Sequence, residues 1–284
     1  MMLRNADCCI TLDAAHGGAI RDFRWRGLDV LRPAVAGAAV DPFSLACFPL
    51  VPYANRIAHG RFSSNGRAVQ LRRNWDGDPH PLHGQGWRAA WTTERASEST
   101  ALLAFQGGGD DWPWRYRAEQ EVTVLADGLD LRLAVRNLSD SAMPAMLGLH
   151  PYLPACAQAT LQTLARTVWL TDAQALPVQE VLVPPDWSFE KPRGVGRLGL
   201  DHCFDHWEGL AIVRWQDRVL RISTTGCGAL HVYAPAGADF FCLEPQSVAA
   251  GALNRDAGTV ARLAPGAGLE INVRFSVSRA QAGS

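Results

Sequence analysis

The chain is 284 residues long, 48% hydrophobic, with a formal net charge of −1. That composition supports a substantial core, in one large all-β domain or two ordinary ones. All but one of the 27 basic residues are arginine, the exception being Lys191, and they are scattered along the chain, which argues against a nucleic-acid partner.

No stretch reaches the roughly 18 apolar residues that span a bilayer, and Asp7, Asp13 and Asp22 interrupt the region where a secretory signal would be apolar. The seven cysteines form no C-x-x-C pair. Reduced, packed thiols and a cytoplasmic location follow from that usage.

Residues 37–65 are rich in Gly, Pro, Ser and Asn and are expected to form a long loop. Alternation over 119–125 and 129–136, around Asp127 and Gly128, predicts a hairpin whose turn favours positive φ. Residues 154–200 hold several prolines and little regular pattern, predicting a second long loop. A further hairpin is predicted from 210–215 and 219–223. Strands over 229–234 and 240–243 flank the turn at Pro235, Ala236 and Gly237, and 269–277 alternates again.

Residues 278–284 are left as a frayed tail. No long helical periodicity intervenes, and 26 glycines and 17 prolines punctuate the strands, so the expected class is all-β, an antiparallel sandwich or barrel. Neither a repeat nor a low-complexity linker marks a boundary, so residues 1–284 are expected to be one domain.

Two polar groups stand out against apolar runs. His150 follows Met146, Leu147, Gly148 and Leu149 and precedes Pro151; such a histidine is more often a packed residue than a catalyst. Glu244 follows Phe240, Phe241, Cys242 and Leu243, and a carboxylate there is costly to bury without a partner or a use. The strand could also end at Leu243, leaving the acid in water. An imidazole and a carboxylate are the parts needed to move protons both ways across one small molecule.

Around them, Asn55 to Phe62 is a polar loop with Arg56, and His80 and His83 lie in a proline-glycine loop. His202 and His206 have H-x-x-x-H spacing beside Asp201 and Asp205, but share a face only if helical, so no metal is expected.

Taken in order, N-R-I-A-H-G-R-F at 55–62, L-H-G at 82–84, M-P-A-M-L-G-L-H-P-Y-L at 143–153, L-D-H-C-F at 200–204, L-E-P-Q-S at 243–247 and A-L-N at 252–254 resemble the aldose 1-epimerase (galactose mutarotase) family over nearly the whole chain. The resemblance implies a large antiparallel β-sandwich of the supersandwich type, an open sugar cleft and no cofactor. His150 matches the family's histidine acid and Glu244 its glutamate base, while Arg56, His83 and Asp201 match residues that hold the sugar. Leu153, Ser247 and the run Trp112, Pro113 and Trp114 depart from the usual pattern and leave the preferred sugar open.

The implied reaction is exchange of α and β anomers of a hexose or related aldose. A base takes the C1 hydroxyl proton, an acid protonates the ring oxygen, and the opened sugar turns about C1–C2 before closing. Glu244 would rest ionised and His150 at least partly protonated. The partner is then a monosaccharide, with neither nucleic acid nor membrane involved, and the protein a monomer or homodimer. Two other classes fit the same residues: a glycoside hydrolase using Asp201 and Glu244 as its carboxylate pair, and a non-catalytic carbohydrate-binding or regulatory module in which ten tryptophans supply stacking surfaces.

Overall fold

The computed structural model describes residues 1–34, 41–196 and 198–280. Every strand ladder among them is antiparallel. Two large sheets dominate. The nine-stranded one is centred on Gly268–Arg279, which pairs with Gly128–Asn137 on one side and Arg218–Thr225 on the other. The eight-stranded one runs through Leu200–Asp205, Ala229–Ala234 and Phe240–Gln246 to the short Gly148–Leu149 and Pro49–Leu50.

Alternation produces the main core. In Tyr116–Leu125 every second residue is buried, and Val122, Leu131, Val273 and Phe275 of the nine-stranded sheet join Leu230, Val232, Phe241 and Leu243 of the eight-stranded sheet in one apolar cluster. The expected all-β antiparallel sandwich is therefore what forms. No helix among the described residues is long and apolar enough to cross a membrane.

The eight-stranded sheet is covered on its other face as well. Phe48, Ala54, Trp87, Tyr152 and Cys242 make a second, smaller cluster there, and Phe240–Gln246 is consequently buried at nearly every position. A strand packed on both faces reads as a continuous apolar run instead of an alternating one. That explains why the sequence left its end at Leu243 in doubt; the strand passes through Glu244 to Gln246.

The hairpins at 116–137, 210–225 and 229–246 form as expected. Three expectations need correction. Residues 154–200 are not one long loop: Thr160–Thr163, Thr167–Thr171, Pro177–Leu182 and Arg193–Gly194 extend the two large sheets. Thr160–Thr163 pairs with strands distant in sequence, and the one local hairpin, Thr167–Thr171 with Pro177–Leu182, closes over 172–176 without a glycine and with a register shift at Leu170, so no turn signal announces it. The last strand continues to Arg279, taking Ser278 and Arg279 out of the expected tail; residues 281–284 of that tail lie outside the described residues. Residues 35–40 are also outside them, and the rest of the expected 37–65 loop carries only short pieces such as Arg61–Ser64.

The third correction concerns Gly128, which does not have positive φ. It is needed because the neighbouring strand comes close: a Cβ there would lie 1.7 Å from the Phe275 carbonyl oxygen. Gly128→Ala should force the central pair of strands apart and lower stability by about 1–3 kcal/mol. Urea denaturation checks this, and a variant as stable as its parent would refute it.

Candidate functional site

The site lies on the outer face of the eight-stranded sheet, opposite the main core. Along Phe240–Gln246, Phe241 and Leu243 point into that core, so Glu244 points the other way. Along Ala229–Ala234, Leu230 and Val232 are core and His231 and Tyr233 face outward. The register sets His231 directly across from Glu244. Asp201, on the next strand out, meets His231 through Oδ1 and Nε2 at 2.7 Å.

His150 arrives from the segment between Gly148–Leu149 and Tyr152–Pro154, where its backbone N–H donates to the Phe48 carbonyl at 3.0 Å. Its ring packs against Phe48 at 4.6 Å and Tyr152 at 4.8 Å, which also touch each other at 6.3 Å. His150 Nε2 lies 3.2 Å from Glu244 Oε1. His150 is 5% exposed and Glu244 2%.

The loop between Pro49–Leu50 and the Gly86–Arg88 turn supplies the opposite wall. Asn55 and His83 both have left-handed backbone, with φ of 62° and 58°, and they lock each other. His83 N–H donates to Asn55 O at 3.0 Å, and Asn55 N–H donates to His83 Nδ1 at 3.2 Å. Gly84 follows with φ of 73°, where a Cβ would sit 2.2 Å from the Val51 carbonyl oxygen; glycine alone fits such a close parallel approach. Arg56 is fixed by Asp78, Nε donating to Oδ2 at 2.7 Å, while Asp78 Oδ1 accepts the His80 N–H at 2.8 Å.

These walls enclose a cavity of about 460 Å³, within the range of small-molecule sites. All five residues singled out by sequence, Arg56, His83, His150, Asp201 and Glu244, line it. A groove of equal volume on the outer face of the nine-stranded sheet has both of its arginines committed to carboxylates, Arg132 to Glu270 and Arg274 to Asp127 and Asp130.

Burial controls the charge states. Loss of hydration pushes Glu244 up to about 7, against the pull of the nearby His231. The same burial, reinforced by His231, lowers His150 to about 3. His150 is therefore neutral in the resting site, which corrects the sequence-based expectation of a protonated histidine. Burial would also depress His231, but Glu244 and the Asp201 hydrogen bond outweigh it and hold the ring well above its ordinary value. Asp201, which burial alone would raise, is held at about 2 by His231.

Asn55 turns its amide nitrogen to His231 Nδ1 at 3.3 Å because its oxygen takes the Arg56 N–H. That contact suits a neutral ring, but the Asp201 carboxylate at 2.7 Å outweighs one amide dipole and the cation is favoured.

His83, His150 and Glu244 bring potential metal-ligand atoms within 4.8 Å of one another. The donor set does not suit a metal. His83 spends its Nδ1 lone pair on the Asn55 N–H, and burial keeps the ring neutral, so Nε2 carries the proton and is a donor. His202 and His206 do not converge: His202 stacks on Trp187, and His206 lies 3.6 Å from Glu180.

His231 was overlooked in the sequence: an even count back from the turn at Pro235 to Gly237 would set it against Phe241, and only the observed register sets it opposite Glu244. Arg32, Asp78, Trp75 and Phe43 line the cavity too and carried no local signal. Leu153 and Trp112, which depart from the family pattern, are buried in the main core, and Ser247 Oγ accepts the Leu147 N–H. None lines the cavity, so they do not bear on which sugar fits.

Comparison with known proteins identifies the family and the fold. The chain is 32% identical over 271 residues to the uncharacterised protein YphB of Escherichia coli (strain K12), covering 90% of this chain and 92% of that one. It is 30% identical to galactose mutarotase of Rattus norvegicus over 46% of this chain and 38% of the rat protein. A crystal structure from Escherichia coli K12, provisionally described as an aldose 1-epimerase, superposes with a TM-score of 0.92 at 28% identity over 98% of both chains. The profile of the aldose 1-epimerase family matches residues 8–276, and the chain belongs to that family.

Proposed function

We propose that this protein is a mutarotase: it opens and recloses the ring of a hexose or related aldose, with Glu244 and His150 as the proton-transfer pair. The observation that carries the proposal is the 3.2 Å approach of His150 Nε2 to Glu244 Oε1 on the wall of a cavity of sugar size. Between about 3 and about 7 the pair holds one proton, and it rests on Glu244. Its transfer to His150 on sugar binding creates the base and the acid together. Glu244 then accepts the C1 hydroxyl proton as His150 protonates the ring oxygen, and closure on the other face reverses both transfers.

Arg56, His83 and Asp201 hold the sugar hydroxyls in this reading. The bond from His231 keeps Asp201 ionised as an acceptor for sugar hydroxyls. All seven cysteines are free, consistent with the cytoplasm as the place of action.

Glu244→Gln and His150→Asn should each slow anomer exchange by about 10²-fold or more with the fold retained. Polarimetry with α-glucose and α-galactose, beside circular dichroism, checks this; near-parental rates in either folded variant would overturn the assignment. Arg56→Ala should weaken sugar binding by about 1.5–3 kcal/mol, seen in KM more than in kcat.

The pH dependence has a defined sign. Glu244 holds the shared proton below about 7 and loses it above, so kcat/KM should be level on the acid side of that value and fall about tenfold per unit on the alkaline side. A rate that instead rises through neutrality would mean that ionised Glu244 with neutral His150 is the active form.

A further inference from the structure

The charges in the cavity are matched except at one place. Arg56 is paired with Asp78 and His231 with Asp201, and Glu244 and His150, in contact at 3.2 Å, share one proton and carry no net charge between them. Arg32 lines the same cavity, and no carboxylate among the described residues lies within salt-bridge distance of it. The six residues 35–40 that follow it closely are valine, alanine and glycine, with no acid to offer.

Its guanidinium is nonetheless held in a fixed place. It lies 4.0 Å from the centre of the Tyr152 ring and 4.5 Å from that of Phe240, and Nη2 donates to the carbonyls of Phe43 at 2.6 Å and Leu45 at 3.3 Å. Carbonyls orient a cation without neutralising it. Nε and Nη1 make no hydrogen bond among the described residues, so part of the guanidinium fork remains available.

Tyr152 stacks on Arg32 through one face contact and on His150 through another. The free charge therefore sits one ring beyond the proton-transfer pair, at the aromatic end of the cavity with Phe43 and Phe240.

A partly buried cation without a counter-ion is unfavourable unless a ligand supplies one, and a preordered arginine fork suits the planar or tetrahedral oxygens of an anion. We propose that Arg32 makes this cavity selective for sugars that carry an anionic substituent (a carboxylate, phosphate or sulfonate group) on the side of the ring remote from C1. The proposal deepens the mutarotase reading and rests on it for the position of C1, but the binding preference is testable without turnover.

The first measurement is equilibrium binding of 1,5-anhydroglucitol and its 6-phosphate, which lack the anomeric hydroxyl and cannot react. The phosphate should bind at least about tenfold more tightly to the parent protein, and that ratio should collapse towards one in Arg32→Gln. Equal affinities in the parent, or a preference that survives Arg32→Gln, would overturn the proposal.

The second measurement is anomer exchange of glucose, glucose 6-phosphate and glucuronate. The ratio of kcat/KM for the anionic sugar over glucose should exceed about ten in the parent and fall at least about tenfold in Arg32→Gln, with Arg32→Lys recovering part of it. The better of the two anionic sugars identifies the group that the fork reads. Binding selectivity without any exchange would sink the mutarotase reading and leave the anion site standing, whereas exchange without charge preference would do the reverse.

Discussion

Glu244 belongs to a strand covered on both faces, so its carboxylate is withheld from water, and the behaviour of the whole cavity follows from that exclusion. An isolated carboxylate in such a place either keeps its proton or finds a partner. Here it does both, with a pKa near neutrality and His150, His231 and Gln246 around it. The same low dielectric separates two histidines that are equally buried. His231 has Asp201 in contact and stays charged; His150, enclosed by aromatic rings, does not. Contact with one additional carboxylate decides which imidazole is a fixed charge and which is free to take up and release a proton.

The layering explains why such groups are tolerated at all. The face of the eight-stranded sheet that meets the nine-stranded sheet is filled by leucine, valine and phenylalanine. Its other face meets a loop, not a sheet, and the smaller cluster of Phe48, Trp87, Tyr152 and Cys242 leaves an opening. Polar side chains at alternate positions of the same strands reach that opening without disturbing the main core. The loop is stiff for its own reasons: Asn55 and His83 hold left-handed conformations through reciprocal hydrogen bonds, and Asp78 clamps Arg56. A rigid sheet on one side and a cross-braced loop on the other keep the polar groups in place before any ligand arrives.

Local pattern was enough for the hairpins. The strands at 116–137, 210–225 and 229–246 alternate or are joined by short turns, and both signals lie within a few residues. Thr160–Thr163 was hidden because it is short and pairs with Leu210–Arg214 far along the chain, and Thr167–Thr171 because its near partner Pro177–Leu182 follows a turn without glycine while its other partner, Leu200–Asp205, is distant. Five cavity residues were legible as motifs, each a polar residue at a defined place in an apolar or glycine-rich run. His231, Asp78 and Arg32 were not, since an isolated histidine, aspartate or arginine in sequence carries no sign of what it will face.

The amino-acid sequence by itself therefore determined the all-β class, the antiparallel hairpins and the residue types able to exchange protons, because period-two alternation and turn chemistry are properties of neighbouring residues. Only the tertiary structure decided that Glu244 is buried instead of solvated, that His150 is neutral while His231 carries the charge, and that Arg32 lacks a counter-ion. Charge state depends on dielectric and on distances of a few ångströms between groups tens to hundreds of residues apart, and those quantities exist only once the chain has folded.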